Sequence, residues 1–151
     1  MLIRPWLRRN SLRLMLAGAI AAGSVAPAIG QTTGPLRGSW QLVAWDDRGV
    51  EAEERPLTLT FEENRLSGSS GCNRYMGPFT VTGDRLSIGP LGSTRRACDP
   101  ATMALESRYL AALGAVESYD LDEHGQLWLT YRDRGDRIVL VFSPGPVRGL
   151  W

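Results

Sequence analysis

Lysine is absent from the 151-residue chain, so all 17 basic side chains are arginine. Histidine occurs once, at His124, and cysteine only at Cys72 and Cys98. No G-x-S-x-G, G-x-G-x-x-G or P-loop pattern is present. The sequence therefore offers no nucleophile elbow, dinucleotide-binding turn or phosphate-cradling loop. Two cysteines with no C-x-x-C pair and one distant histidine do not make a tetrahedral metal set. A hydrolytic triad needs a histidine held by a carboxylate and touching a nucleophile. His124 instead falls between Glu123 and Gly125 in a predicted turn. The acidic residues are scattered through turns and form no distinctive pair. These absences point away from an enzyme, and no cofactor or metal is expected.

Long apolar runs are also missing. A bilayer span needs roughly twenty apolar residues, whereas the run Leu14 to Val25 is shorter. It follows Arg4, Arg8, Arg9 and Arg13 and precedes Ala26-Pro27-Ala28. A basic segment, a short apolar segment and a small-x-small site describe a secretory signal peptide over residues 1–30, cleaved after Ala28 or Gly30. The alternative is an uncleaved N-terminal anchor. Arg8-Arg9 partly resembles a twin-arginine signal, but Ser11 stands where an apolar residue is usual, which favours general secretion. No cysteine adjoins the cleavage site, so a lipid anchor has no attachment point. The expected location is the periplasm or the exterior, with no stable membrane insertion after cleavage.

Removing the leader changes the charge. Thirteen arginines then face sixteen acids, a net charge of about −3 against +1 for the whole chain. A mildly acidic domain has no electrostatic footprint for nucleic acid. In an oxidising compartment an even cysteine count suggests one disulfide, Cys72–Cys98. Closing that loop is worth roughly 3–4 kcal/mol. Two separate buried thiols are the alternative.

The mature chain reads as short alternating strands. Trp40, Leu42 and Ala44 alternate with Gln41, Val43 and Trp45. Leu57, Leu59 and Phe61 alternate with Thr58, Thr60 and Glu62, and Leu66 to Ser70 returns after Glu63-Asn64. Phe79 and Val81 pair with Leu86 and Ile88 across Thr82-Gly83-Asp84. Asp99 is a predicted N-cap with Pro100 at the first helical position. Met103, Leu105, Tyr109, Leu110 and Leu113 recur at helical spacing, and Gly114 is a natural stop. Three strands follow, around Tyr119 and Leu121, Leu127 to Tyr131, and Ile138 to Phe142. Arg132 to Asp136 is a charged turn between the last two. The last strand is wholly apolar, which predicts cover on both faces. Trp40 is expected in the core, while Trp45 and Trp128 fall opposite their strands' apolar faces. The expected fold is mostly β (α+β): a single-domain curled antiparallel sheet or lipocalin-like barrel with one amphipathic helix.

Three stretches carry a resemblance. Gly38-Ser39-Trp40-Gln41-Leu42 opens the domain, Gly71-Cys72-Asn73-Arg74-Tyr75 follows the second hairpin, and Leu91 to Cys98 precedes the helix that contains Glu106 and Tyr109 to Leu113. In this order they resemble the META domain, or HslJ-like, family of bacterial envelope proteins over about residues 36–143. The resemblance implies a lipocalin-like barrel, an association with stress response and novobiocin resistance, and no established catalysis. Some members are lipoproteins, unlike this chain, and many carry Met where Arg96 stands.

The domain layout is a signal peptide at 1–30, a flexible lead-in at 31–37, the domain at 38–143 and a tail at 144–151. The candidate binding residues are Asn73, Arg74, Tyr75, Arg95 and Arg96. A bridge between Cys72 and Cys98 would bring the three arginines to one surface suited to an anion or a partner's carboxylate. The opposing reading is structural: Asn73 and one arginine satisfy buried carbonyls or pair with Glu106. The expected role is non-covalent binding or structural support in envelope stress or drug tolerance, by a monomer, toward an envelope protein or a small ligand. The alternatives are a carrier of an apolar or lipid-like molecule, or a protease inhibitor using a loop such as Asp46 to Pro56.

Overall fold

A computed structural model describes residues 34–49 and 55–145. The leader, residues 50–54 of the loop Asp46 to Pro56 and the tail beyond Gly145 lie outside the described residues. Ten strands and one helix follow in order: β1 (Gly38–Trp45), β2 (Arg48–Gly49), β3 (Thr58–Glu62), β4 (Arg65–Ser69), β5 (Arg74–Thr82), β6 (Arg85–Ile88), β7 (Gly92–Ser93), α1 (Pro100–Gly114), β8 (Val116–Leu121), β9 (Leu127–Asp133) and β10 (Asp136–Pro144). All pairings between these strands are antiparallel. Eight of them close into a barrel, because β10 pairs with β1 as well as with β9. Closure removes the exposed edge that an open sheet of this length would present. The seam between β6 and β8 is the thinnest, with one paired position at Arg85 and Ser118.

Alternation sends one side of each strand inward. Leu42, Leu57, Leu59, Phe61, Leu66, Phe79, Leu86, Leu127, Leu129, Leu140 and Phe142 fill the interior. The helix closes one end. Asp99 caps it, accepting from the Thr102 amide at 2.9 Å and the Thr102 hydroxyl at 2.6 Å. Those bonds hold the exposed Asp99 carboxyl below its ordinary pKa. Tyr109, Ala112 and Leu113 form the buried stripe, with Leu105 and Leu110 half-buried beside it. One residue on that face is a carboxylate, Glu106, which the apolar stripe alone does not anticipate.

Several expectations change. Leu36 is fully buried, and its carbonyl accepts from the Trp40 indole at 2.9 Å. The described part of the lead-in is therefore anchored in the domain. β5 starts at Arg74, well before Phe79, because Gly77 and Pro78 sit inside a strand that changes partner from β7 to β6 there. Trp45 does not face outward with Gln41. A register shift between Leu42 and Ala44 resets the alternation, as a bulge does. Trp45 then packs on Tyr109 edge-on at 6.4 Å and donates to the Tyr131 hydroxyl at 3.0 Å, under the Arg108 guanidinium. Trp128 stays exposed at its strand's outer face and donates to Asp122 at 3.1 Å. In β10, Leu140, Val141 and Phe142 are buried, but Ile138 and Val139 are only half-buried, so cover on both faces is confined to Val141. The charged turn contracts to Arg134 and Gly135, with Asp133 and Asp136 paired across it.

Gly68 marks the tightest approach inside the barrel. The Thr58 carbonyl accepts from both the Tyr75 hydroxyl, at 2.8 Å, and the Tyr109 hydroxyl, at 3.3 Å, while the two phenols lie 3.1 Å apart. A β-carbon on residue 68 would collide with that carbonyl and come within 2.8 Å of the Tyr75 hydroxyl. Gly68→Ala is therefore expected to destabilise by roughly 2–3 kcal/mol through overpacking. Thermal unfolding followed by circular dichroism should show a melting point lower by about 10 °C or more. An unchanged midpoint would mean that this cluster can relax.

Candidate functional site

The turn between β4 and β5 organises the site. Ser70 donates to the Asn73 carbonyl through its amide at 2.8 Å, closing a four-residue turn. Gly71 occupies it at φ +94°, a conformation that glycine adopts without the penalty of a side chain. Cys72, next in the turn, is bonded to Cys98 just before the helix, with Cα atoms 6.0 Å apart. One covalent link thus joins the turn to the stretch entering α1.

Asn73 adds a second, non-covalent link. Its side-chain oxygen accepts from the Arg96 amide at 2.7 Å and the Thr94 hydroxyl at 2.8 Å. Its side-chain nitrogen donates to Glu106 at 2.8 Å and to the Arg96 carbonyl at 3.3 Å. Its backbone amide donates to the other Glu106 oxygen at 2.9 Å, which also takes the Ser70 hydroxyl at 2.6 Å. Every hydrogen-bonding atom of the Asn73 amide is engaged. Burial raises the Glu106 pKa, but the bonds from Ser70 and Asn73 outweigh it and hold the carboxyl below its ordinary value. Among the described residues no arginine pairs with Glu106. Asn73 therefore takes the structural role considered from the sequence, and the arginines do not share it.

Tyr75 is likewise a core residue. It is almost fully buried against Tyr109, and burial pushes both phenols well above the ordinary tyrosine pKa. Its side chain is not available to a ligand. Arg74 and Arg96 are exposed and line a groove of about 500 Å3 beside the disulfide. Arg95 is exposed but lies outside that groove, and Arg55, which the sequence did not single out, stands within it. The Arg55 guanidinium also reaches the Cys98 sulfur at 3.3 Å. The groove runs over the outward face of three neighbouring strands: Ser39 and Gln41 of β1, Thr58 and Thr60 of β3, and Ser67 and Ser69 of β4.

Other candidate chemistry stays dispersed. His124 is exposed in the β8–β9 turn, 3.6 Å from Glu123, with no nucleophile bonded to it among the described residues. Among the described residues no three His, Cys, Asp or Glu side chains are grouped to hold a metal ion, and no helix is long and apolar enough to cross a membrane.

The META domain family profile matches residues 34–143, which contain the barrel, the disulfide and the Asn73–Glu106 link. The chain belongs to the META domain family. The match starts at Gly34, in keeping with the buried Leu36. A solved structure, described as the NMR structure of the protein from Burkholderia xenovorans, superposes with a TM-score of 0.60 at 33% identity, covering 82% of this chain and 94% of the other. A second NMR structure superposes with a TM-score of 0.58 at 22% identity, covering 76% and 94%, and supports the fold alone. No curated protein matches the chain. Arg55 and Ser70 of this META domain could not be picked out beforehand: one precedes a strand and the other ends a Ser-Gly-Ser-Ser run, and neither sits in a chemical motif.

Proposed function

We propose that the mature chain is an exported, non-catalytic META domain that acts by non-covalent contact in envelope stress or drug tolerance, with the groove over β1, β3 and β4 as its contact surface. The carrying observation is the direction in which the groove faces. The barrel interior is occupied by Phe61, Phe142, Tyr75, Tyr109 and the leucines around them, so a molecule held inside, as in a carrier, has no observation in its favour. The concave surface lies outside, lined by Ser39, Thr58, Thr60, Ser67 and Ser69 and by three exposed arginines. The turn beneath it is held by a disulfide and by the Asn73–Glu106 bonds, which supports a preorganised surface. The basic, apolar and small-x-small order of the leader supports export, and a closed disulfide is compatible with it.

The reading is tested by deleting the gene and challenging the cells with novobiocin. Loss of tolerance should be restored by the wild-type chain and not by an Arg55→Ala, Arg74→Ala, Arg96→Ala version. That variant should keep the wild-type melting point, since all three side chains are exposed. Full restoration by the triple variant would sink the groove as the contact surface. Intact mass of the periplasmic protein should show cleavage after Ala28 or Gly30.

A further inference from the structure

We propose that the groove binds a segment of an acidic glycan, with carboxylates at the arginine end and sugar hydroxyls over the serine–threonine floor. This rests on the groove being the contact surface and adds what it recognises.

The floor is the face of a paired sheet. Backbone amides and carbonyls of β1, β3 and β4 are engaged in ladders with one another. An extended peptide therefore finds no free strand edge to extend. Recognition falls to side chains, and on the floor these are mostly hydroxyls. A hydroxyl offers one hydrogen and two lone pairs. The Thr58 hydroxyl accepts the Ser69 amide at 3.0 Å, and the Ser69 hydroxyl accepts the Gly71 amide at 3.3 Å. One lone pair of each is thus used inside the protein, while neither O–H donates to a partner among the described residues. Ser39 and Thr60 share one bond at 3.1 Å, which leaves one of their two hydrogens to donate.

The charged end, unlike the floor, supplies donors alone. Arg55, Arg74 and Arg96 are exposed, and the two ion pairs found among the described residues, His124–Glu123 and Arg132–Glu117, lie elsewhere. Glu106 lies close behind, but its oxygens are occupied by Ser70 and Asn73. A hydroxyl floor that both donates and accepts, ending in guanidinium groups, complements a ligand carrying hydroxyls and carboxylates, the latter bound by guanidinium through paired bonds. A neutral sugar leaves the arginines unmatched. A bare polyanion leaves the floor unmatched. The groove volume of about 500 Å3 lies within the range of small-ligand sites.

The test is an NMR titration of the 15N-labelled mature chain with trigalacturonate, maltotriose and tripolyphosphate. Trigalacturonate should shift the amides of Thr60, Ser67, Ser69 and Arg74 saturably. Maltotriose should bind at least about tenfold more weakly, and Arg74→Ala with Arg96→Ala should cost the acidic sugar about tenfold or more in affinity, as expected for losing charge-assisted bonds. Maltotriose or tripolyphosphate binding as tightly as trigalacturonate would overturn the glycan assignment. So would failure of trigalacturonate to bind a chain whose groove variant still fails to restore drug tolerance. That outcome removes the ligand class and keeps the contact surface. Full restoration by the variant removes the contact surface itself.

Discussion

Glu106→Ala is expected to cost roughly 3–5 kcal/mol, because it strips the acceptor from three buried donors at once. The Ser70 hydroxyl, the Asn73 amide and the Asn73 side-chain nitrogen all bond the carboxylate at 2.6–2.9 Å. Each buried donor left without a partner costs about 1–3 kcal/mol, less whatever water re-enters. Urea unfolding would read the loss directly, and a change below about 1 kcal/mol would show that the turn does not depend on this carboxylate. Acid should act in the same direction. The folded carboxyl holds its proton less tightly than the unfolded one, so the unfolded chain binds more protons as the pH falls. The stabilisation is full above the ordinary glutamate value of about 4.3 and is lost as the pH drops through the lower folded value. Asp99 and Asp122 are also held low by hydrogen bonds, so the whole chain is acid-labile for more than one reason. Glu106→Gln separates them: its melting point should fall less steeply than that of the wild type between neutral pH and about pH 3.

Most of the barrel was legible because its strands are half-buried and short. Leu57, Leu59 and Phe61 alternate cleanly with Thr58 and Thr60, and the outward set turned out to be the groove floor. The helix was legible from Asp99-Pro100 at its start and Gly114 at its end. Trp45 was misplaced because a bulge leaves no mark in the alternation before it occurs, and one extra residue reverses every later side chain. Leu36 was missed for a different reason: a single apolar residue among Gly, Pro and Arg carries no period. β5 was read short because proline in a strand ordinarily marks an edge or an irregularity. Here Pro78 falls where the strand exchanges one neighbour for another, and its carbonyl still accepts from Gly89 at 2.9 Å.

The site was legible in part, and the division follows from what a linear chain can encode. Cys72 and Cys98 could be paired from their number and compartment, and the bridge brought Arg74 and Arg96 to one groove. Which arginines share that groove depends on strand register and on the path into the helix, so Arg95 was included and Arg55 was not. Asn73 and Tyr75 lie in the same run as Arg74, yet alternation sends them inward: one to bond Glu106, the other to bond Thr58. A motif read as one binding element is thus two structural residues flanking one exposed cation.

Removing the disulfide with Cys72→Ser and Cys98→Ser should cost roughly 3–4 kcal/mol for a separation of 26 residues and lower the melting point by about 15 °C or more. The variant should still fold at room temperature, since Asn73 holds the same segments through Arg96, Thr94 and Glu106. The two links are not independent. The bridge keeps the Ser70–Asn73 turn closed over its buried donors; once it is cut, the turn can open and water can reach those donors. Adding Glu106→Ala to the bridge-free chain should then cost less than it does in the wild type, by about 1 kcal/mol or more, the scale of coupling between residues of one network. A double-mutant cycle by urea unfolding measures this difference. Additivity within about 0.5 kcal/mol would mean that the covalent and hydrogen-bonded links support the turn separately, and that reducing conditions would loosen the groove no more than they lower global stability.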